Sequence, residues 1–544
     1  RGDCPYQNES RLVGFGIRHA MSGIHAIAAI GLVLRLIVAI GFEQVHHPDE
    51  VFQYWEQAHR WVFGYGYIPW EYRFGIRSWL IPTLLAAPLY LCKLLHLDQP
   101  SFYIPFIQSL LCLASISVIY SAYWIGCNLG SERSGQLASL FTACWYELIY
   151  FAHKPTPEVL GAYCFLMAVA IATRPPRSSQ SAPRRWGLLW GISSALTVAL
   201  RLQYLPALAI VGLWVLWRRR WDFVAWGSLG GGLVLLGVGG LDWITWGVPF
   251  SSYVQNYLFN KSYGVSSLFG VSPWPYYLEG LVYGSGILPL LILLGSGPAV
   301  RRCWVLLAAI ALVVLTHTWI PHKEYRFIFI IIPLWLIWVA IVLDRDLPLD
   351  GLARLLTAVR QVSWPRSAVS AQTLRACLGL VLVPLIGLGG VLLPPAQGLY
   401  AGFYGQPQWG KLYTLVDRQP TLISYLRLSQ EPQLWGVLNL AYPWFATGGY
   451  SYLHRDVPIY FGEHRALWGQ RQASDYVSHI ICEPEQNNCP QEPEFECWQH
   501  LNNLEIWRAT QVPQQVQTLD LDLKNVLQGG VDDRFKPQVT PHLR

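Results

Sequence analysis

The chain has 544 residues, of which 53% are hydrophobic and only 13% are charged, and its formal net charge is +6. An ordinary soluble domain carries about 25% charged residues, so this composition excludes a wholly soluble protein and predicts several membrane-spanning segments. The basic residues stand in short clusters between apolar segments and not in one stripe, which argues against binding to nucleic acid.

The first apolar segment, residues 24–42, predicts a membrane span that is retained in the mature protein, because no small-residue cleavage site follows it. The polar residues 1–23 before it would be cytoplasmic. Apolar segments recur as far as residue 393, and the composition then becomes polar. We therefore expect a membrane domain over residues 24–393 and an extracytoplasmic soluble domain, luminal or periplasmic, over residues 394–544.

Basic residues set the predicted topology, because cytoplasmic loops are enriched in Lys and Arg. The internal basic clusters are residues 174–185, 218–220, 301–302 and 345–375. They all fall on the cytoplasmic side if the spans are residues 24–42, 102–126, 136–152, 159–173, 187–200, 204–217, 223–241, 281–297, 303–318, 328–343 and 376–393. Counting the apolar residues 78–95 as a further crossing would invert every later loop, so we expect a juxtamembrane or re-entrant helix there.

A polar motif, HHPDE at residues 46–50, directly follows the first span. Ionisable residues at a membrane boundary cost free energy unless water, a partner or a substrate satisfies them, so they are candidate functional residues. Apolar side chains in residues 51–62 recur at helical spacing, which predicts an amphipathic surface helix with Asp49 at or near its N-terminus. At that position the local sequence supports a helix cap and a catalytic acid equally.

A second polar motif, HKEYRF at residues 322–327, lies between two apolar segments. It offers the cations Lys323 and Arg326, with His322 as a proton carrier and Glu324 as their expected partner. The ordinary alternative to a functional role is that these charged side chains lie at the membrane interface and extend towards water. A site that handles a phosphate needs cations that neutralise the oxygen anions, and the motif favours this function.

Other segments fall on the same predicted outer face. Residues 256–280 are rich in Gly, Ser, Pro and aromatic side chains, which is typical either of an ordered loop over a site or of an interfacial hairpin. The turn HKPTPE at residues 153–158 and Arg201 lie on this face as well. Taken singly, each of their polar residues is more typical of a structural role than of a catalytic one.

The order and spacing of four motifs resemble the GT-C mannosyltransferases of glycosyltransferase family twenty-two. The motifs are HPDEVFQYWEQAH, GYGYIPWEYRFGIRSW, FGVSPWPYYLEG and HKEYRF. This family transfers mannose from dolichyl phosphate mannose to the N-glycan precursor and to the glycosylphosphatidylinositol (GPI) core, and the likeness spans about residues 24–345. The HPDE form most resembles the branch that adds the third GPI mannose. The chain departs from the common family pattern in PWPYY, residues 273–277, and at Tyr325, which leaves the acceptor open.

The resemblance implies a mainly α, polytopic membrane protein with a GT-C fold. It would have about 11 transmembrane helices, amphipathic juxtamembrane helices on the outer face and a C-terminal α/β soluble domain. The reaction implied is an inverting displacement with Asp49 as general base. Glu50 would orient Asp49 or take its place as the base. The residues expected to bind the donor phosphate are His322, Lys323, Arg326 and Arg201. The residues expected to make the remaining contacts with the substrates are His47, Trp55, Glu71, Arg77, Trp274, Tyr276 and Glu324.

The partners implied are a polyprenyl (dolichyl) phosphate sugar donor, a lipid-linked glycan acceptor and membrane lipids. The sequence has neither a GxGxxG after a strand nor a DxD pair in an outer loop, so we expect no cofactor and no obligatory metal. The membrane would be that of the endoplasmic reticulum in a eukaryote or the plasma membrane in a bacterium, with the active site on the luminal or extracytoplasmic face.

Three alternatives stay open. A transporter or flippase for a lipid-linked sugar would need a polar path through the bilayer, whereas the polar motifs here concentrate on one face. A bacterial family member could use another polyprenyl phosphate sugar, and an inactive homologue could act as an assembly scaffold.

The C-terminal domain contains strand-like segments at residues 437–442 and 456–461, but the sequence assigns it no chemistry. Cys482, Cys489 and Cys497 cluster in it. In an oxidising compartment two of them would pair and one would be left over. Zinc is less well supported, because neither a CxxC pair nor a nearby HxxxH accompanies them.

Overall fold

A computed structural model describes residues 6–175, 181–285, 297–345, 418–462, 472–490, 493–501 and 503–518. These residues form a mostly helical membrane domain and a small C-terminal α/β domain. The helices are α1 Tyr6–Gly41, α2 Glu56–Phe63, α3 Trp70–Arg73, α4 Leu80–Leu94, α5 Pro100–Leu129, α6 Glu132–Cys144, α7 Tyr146–Tyr150, α8 Pro157–Ala172, α9 Ser181–Leu200, α10 Leu205–Trp217, α11 Trp221–Trp246, α12 Ser251–Tyr257, α13 Tyr276–Ser285, α14 Gly297–Thr318, α15 Ile331–Arg345, α16 Pro420–Leu428 and α17 Gly449–Leu453.

Four helical segments among the described residues are long and apolar enough to cross a membrane: Gly23–Gly41 of α1, and α5, α11 and α14. A bent pair, Tyr146–His153 and Pro157–Ala172, would add a fifth span if its two parts act as one. The predicted spans over residues 24–42, 102–126, 223–241 and 303–318 correspond to the first four. The span predicted at residues 376–393 and most of the one predicted at residues 281–297 lie outside the described residues, and the total of about eleven stays a prediction.

The bent pair breaks at the HKPTPE turn, where the helix axes meet at 114°. Pro155 and Pro157 cause the break, because proline cannot donate a backbone hydrogen bond and disfavours a helical conformation in the residue before it. Pro157 then occupies the first turn of α8, where its missing donor costs nothing. The whole turn is buried. The break thus brings polar side chains of the turn into the interior of the domain.

The helix predicted over residues 51–62 is present as a π-helical segment, Glu50–Trp55, that continues into α2. Gly64 ends α2 with a φ of 89°, a conformation that favours glycine. The prediction of a surface helix is wrong, however, because residues 50–59 are all buried. The C-terminal domain covers the side that would otherwise face water: Trp444 packs on Phe52, with ring centroids 5.0 Å apart.

The helix α4 corresponds to the apolar residues 78–95. It packs against α2, and Lys93 Nζ donates a hydrogen bond of 2.7 Å to the carbonyl of Val62. At 15 residues it is shorter than a typical span of about 20 residues. That α4 does not cross the membrane stays a prediction.

The described part of the C-terminal domain is built on a five-stranded sheet with the order β2-β1-β3-β5-β4. The strands are β1 Val437–Asn439, β2 Ile459–Phe461, β3 His479–Cys482, β4 Phe495–Leu501 and β5 Leu504–Ala509. The first three run parallel, and β5 pairs antiparallel with β3 and β4. Both predicted strand segments are confirmed by β1 and β2. Cys482 and Cys489 form a disulfide and Cys497 is free, as expected for two paired cysteines and one left over.

One apolar cluster joins the two domains. Its buried members from the membrane domain include Val51, Phe52 and Trp55, and those from the C-terminal domain include Leu422 and Tyr450. The segment after the HHPDE motif is therefore held between two folded bodies.

Candidate active site

The structure brings the two polar motifs into direct contact. Arg326 Nη2 donates to Asp49 Oδ2 at 2.7 Å, although the two residues lie 277 positions apart in the chain. Asp49 stands at the N-terminus of the π-helical segment, as predicted, but its side chain makes no capping hydrogen bond. Its other oxygen, Oδ1, lies 3.3 Å from His47 Nδ1. The geometry therefore disfavours the capping role and joins the candidate base to a candidate phosphate-binding cation.

Glu324 extends this contact into a chain of alternating charges. Its Oε2 accepts from Arg326 Nε at 2.6 Å, and its Oε1 lies 3.0 Å from His322 Nε2. His47 of the first motif also belongs to this group, because its Nε2 lies 3.8 Å from Glu324 Oε2. Arg326 thus binds Asp49 through Nη2 and Glu324 through Nε, and a planar guanidinium with several fixed donors suits this geometry.

These contacts shift the ionisation of the acids. Burial alone would raise the pKa of Asp49, but the attraction of His47 and Arg326 outweighs it and lowers that pKa well below its usual value. The pKa of Glu324 is lowered in the same way, with burial outweighed by Arg326 and His322. The hydrogen bond to Glu324 raises the pKa of His322. Both carboxylates are therefore ionised at neutral pH.

Glu50 binds a different cation. Its Oε2 accepts from the backbone N–H of His46 at 3.0 Å and lies 3.6 Å from Lys154 Nζ. Lys154 comes from the HKPTPE turn and also donates to the carbonyl of Gln44 at 3.0 Å. Burial raises the pKa of Glu50, and Lys154 opposes that shift. The two adjacent acids, Asp49 and Glu50, are thus neutralised by cations from separate elements.

A second buried ion pair lies beside the second motif. Arg201 Nη1 is 2.9 Å from Glu158 Oε1, and the guanidinium carbon of Arg201 stands 4.6 Å from the centre of the Phe327 ring. Phe327 directly follows Arg326, so this pair adjoins the first group of charges. Taken singly, Arg201 and the residues of the HKPTPE turn seemed structural in the sequence, but the structure places them at the same site.

Glu71 and Arg77 approach Asp49 from the segment after α2. Gln53 Nε2 donates to Glu71 Oε1 at 2.7 Å. Burial raises the pKa of Glu71 to about 7, with Arg77 lowering it and Asp49 raising it. The pKa of Arg77 is raised although burial opposes it, because Tyr54, Asp49, Glu71 and Glu158 all attract its charge. Both residues therefore belong to the electrostatic surroundings of Asp49.

Lys323 contacts the loop over the site. It pairs with no carboxylate among the described residues. Its Nζ donates to the carbonyls of Ser272 at 2.8 Å and Pro321 at 3.4 Å. His322 Nδ1 lies 2.9 Å from the carbonyl of Gly270 in the same loop. The aromatic loop at residues 256–280 is thus attached to the second motif, which favours an ordered loop over the site.

Three of the predicted substrate-binding aromatic residues differ in their exposure. Trp274 is 70% exposed. Tyr276 is partly buried, and the negative charge of Glu324 acts on it. Trp55 is only 1% exposed and lies in the apolar cluster that joins the domains. Their roles toward a substrate stay predictions, and Trp55 has the least surface to offer.

Several buried polar atoms at this site have no hydrogen-bond partner among the described residues. They are Glu50 Oε1, Gln53 Oε1, Arg77 Nε, His153 Nδ1 and Nε2, Thr156 Oγ1, Glu158 Oε2, Arg201 Nε and the Tyr277 hydroxyl. More than 90% of buried polar groups in proteins are paired. Unpaired buried atoms are therefore uncommon, and they mark these residues as candidate site residues. Gln53 carried no signal in the sequence beyond its place between apolar residues, and His153, Thr156 and Glu158 were visible only as one polar turn.

The chain is similar to several known proteins. The model of the Alg9-like mannosyltransferase family matches residues 26–390. GPI mannosyltransferase 3 of Trypanosoma brucei brucei is 27% identical over 365 residues, which cover 59% of this chain but only 65% of that relative. The same-named protein of Yarrowia lipolytica is 26% identical over 82% of this chain and 78% of its own length. GPI alpha-1,2-mannosyltransferase 3 of Danio rerio is 26% identical over 85% of this chain and 78% of its own length.

Solved structures with a similar fold include ArnT from Cupriavidus metallidurans. Its crystal structure bound to undecaprenyl phosphate superposes with a TM-score of 0.55 at 14% identity, covering 89% of this chain and 97% of that one. The apo structure gives a TM-score of 0.53 at 14% identity, over 90% of this chain and 98% of that one. At this identity the likeness concerns the fold alone.

Proposed function

The chain belongs to the Alg9-like mannosyltransferase family, as its motifs predicted, and from this membership we propose that it transfers mannose from a polyprenyl phosphate to a hydroxyl of a lipid-linked glycan. Relatives named GPI mannosyltransferase 3 support a GPI precursor as the acceptor. The observation that carries the proposal is the ion pair between Asp49 and Arg326, because it places a candidate base beside a candidate phosphate-binding cation.

The proposed reaction is an inverting displacement. The acceptor oxygen attacks the anomeric carbon of mannose, the bond from that carbon to the phosphate oxygen breaks, and the lipid phosphate leaves with the electron pair. Asp49 accepts the proton of the acceptor hydroxyl, and Glu50 helps to fix the position of Asp49. A positioned general base contributes about a hundred- to ten-thousandfold to the rate of such a reaction.

Substrate binding must first change the ion pair, because a carboxylate held by Arg326 is a weak base. An anionic phosphate that approaches Arg326 competes with Asp49 for the guanidinium. Asp49 would then regain a higher pKa and accept a proton more readily. Donor binding and activation of the base are thus linked through one cation.

Lys323 would not have to break an ion pair with a carboxylate of the described residues when a phosphate binds. Its ammonium is bonded to two carbonyls in the described part of the chain, whereas Arg326 and Arg201 are paired with carboxylates. We therefore assign the first contact with the donor phosphate to Lys323, with Arg326, His322 and Arg201 completing its surroundings. ArnT, which has a similar fold, was crystallised with undecaprenyl phosphate, and this supports a lipid phosphate as the ligand.

We place the site and the C-terminal domain on the luminal face of the endoplasmic reticulum, or on the outer face of a bacterial plasma membrane. The disulfide between Cys482 and Cys489 supports an oxidising compartment. We propose that no metal is required, because Asp49 and Glu50 are already neutralised by Arg326 and Lys154.

The test uses the full chain in lipid nanodiscs with radiolabelled donors and GPI and N-glycan precursors as acceptors. We expect mannose to be transferred from dolichyl phosphate mannose, but neither from GDP-mannose nor from dolichyl phosphate glucose. Transfer from GDP-mannose would contradict the proposal. Movement of a lipid-linked sugar across sealed vesicles, with no transfer by folded protein, would support the flippase alternative.

A further inference from the structure

The segment that carries Asp49 and Glu50 has little secondary structure of its own on its N-terminal side. Helix α1 ends at Gly41, and the next helical residue is Pro48. Backbone polar groups in such a segment need partners elsewhere when they are buried. The C-terminal domain supplies several of them, 374 or more residues further along the chain.

Gln419 is the main partner on the N-terminal side of the motif. Its side-chain Nε2 donates to the carbonyl of Val45 at 2.9 Å, and its Oε1 accepts from the N–H of Val45 at 3.2 Å. The backbone N–H of Gln419 donates to the carbonyl of Glu43 at 2.9 Å. One residue of the C-terminal domain thus satisfies both polar groups of Val45, four residues before Asp49.

Arg418 adds a contact at the end of α1. Its guanidinium donates to the carbonyl of Gly41 at 3.0 Å and 3.2 Å and lies 3.6 Å from the Glu43 carboxylate. Arg418 is exposed, so water screens this ion pair and it contributes little. Gln419 is therefore the more informative residue of the two.

Glu56 holds the other side of the motif, seven residues after Asp49. Its carboxylate is fully buried. Oε1 accepts from the backbone N–H groups of Tyr67 at 2.8 Å and Tyr450 at 3.2 Å, and Oε2 accepts from that of Ser451 at 2.9 Å. Two of the three donors belong to α17 of the C-terminal domain.

Gly449 makes this approach of the two domains possible. Its φ is +58°, and a Cβ added there would lie 2.8 Å from Glu56 Oε2. Any larger residue would push α17 away from the carboxylate. The nearby contact between His59 Nε2 and His454 Nδ1, at 3.0 Å, joins the same two elements.

We propose that the C-terminal domain positions the two acids, with Gln419 and Glu56 as positioning residues on either side of the HHPDE motif. Gln419 reaches neither acid: it acts by fixing the backbone of residues 43–45. The catalytic consequence rests on the proposed function, in which Asp49 is the base. Displacement of a reacting group by about 1 Å can cost a hundredfold in rate, so a loose segment would transfer mannose slowly even in a folded protein.

The test replaces Gln419 by an isosteric residue that cannot make the two bonds to Val45. Gln419→Met keeps the length of the side chain, and Gln433→Met, at an exposed position of the same domain, is the matched control. Hydrogen exchange of the full chain in nanodiscs is measured for residues 41–50 and, as an internal reference, for α5. We expect exchange over residues 41–50 to accelerate by about tenfold or more, with α5 and the control unchanged.

Transfer kinetics give the second measurement. We expect kcat of Gln419→Met to fall by about ten- to a hundredfold, with a smaller change in KM for the donor. Glu56→Gln, which replaces one accepting oxygen by a donor against the N–H groups of α17, should have the same effects from the other side of the motif. Two independent variants separate positioning from a local packing defect.

The outcomes distinguish the two proposals. Unchanged exchange over residues 41–50 in both variants would overturn the positioning role, and so would wild-type kcat despite faster exchange. A uniform rise of exchange across the chain would also overturn it, because the residues would then support the fold as a whole. Faster local exchange in a chain whose wild type transfers no mannose would contradict the proposed function and leave the docking of the domain established.

Discussion

Replacement of Arg326 by lysine tests the electrostatic account most sharply. The guanidinium donates through Nη2 to Asp49 at 2.7 Å and through Nε to Glu324 at 2.6 Å. A lysine ammonium is a point charge on a flexible stem and cannot reproduce this fixed geometry of two donors. Arg326→Lys therefore keeps the charge but loses one of the two charge-assisted bonds.

A hydrogen bond to a charged group contributes about 1.5 to 3 kcal/mol. If that bond is also used in the transition state, kcat/KM for mannose transfer should fall by roughly ten- to a hundredfold, at about 1.4 kcal/mol for each factor of ten. Weaker attraction from the cation also raises the pKa of Asp49, so the acid limb of the pH profile should move to higher pH. The assay is initial-rate transfer from dolichyl phosphate mannose across a range of pH.

Arg427→Lys, at an exposed position on α16, is the control and should leave kcat/KM unchanged. If Arg326→Lys transferred mannose at the wild-type rate with an unshifted pH profile, the role given to the two contacts of Arg326 would be refuted. Arg326→Met should be worse than Arg326→Lys, because it leaves two partly buried carboxylates without their cation.

Three further predictions address other parts of the site. Arg201→Met leaves the buried Glu158 carboxylate unpaired and should destabilise the protein by about 3 to 5 kcal/mol, seen as a lower unfolding temperature; unchanged stability would contradict the pairing. Burial raises the pKa of Glu71 from 4.5 to about 7, so the contribution of this group to stability is present below pH 4.5 and is lost as the pH rises through about 7. Glu71→Gln should flatten this decline in stability, measured by denaturation from pH 5 to 8. An identical decline in the variant would count against this role of Glu71. Prolonged treatment with a chelator should leave transfer unchanged, and a loss that Mg²⁺ or Mn²⁺ restores would overturn the metal-free account.

Local patterns carried much of the prediction. The helical spacing of apolar residues from Val51 to Val62 predicted the helix and the place of Asp49 at its start. The charged residues of HKEYRF stood out against apolar neighbours, and Glu324 pairs with Arg326 as expected. Short strand-like segments predicted the strands β1 and β2. In each case the signal lies within about a dozen residues, which is the range over which periodicity and composition act.

Contacts between distant residues could not be predicted in this way. The pairs Lys154 with Glu50 and Arg201 with Glu158 depend on how the bent pair of helices enters the interior at Pro155 and Pro157. Coverage of α2 by the C-terminal domain is equally a property of the packed fold, and for this reason the prediction of an amphipathic surface helix is wrong. An amphipathic helix shows that one face is buried, but the pattern does not show whether a second domain covers the other.

The central claim is that Asp49 accepts the proton of the acceptor while cations hold the lipid phosphate. The most direct measurement compares the wild type with Asp49→Asn in the full chain, recording single-turnover transfer of labelled mannose together with binding of dolichyl phosphate mannose. The account predicts that transfer falls by at least about a hundredfold while donor binding persists, because the amide keeps the shape of the side chain but cannot accept the proton. Transfer at the wild-type rate by Asp49→Asn would contradict the account and assign the base to another residue.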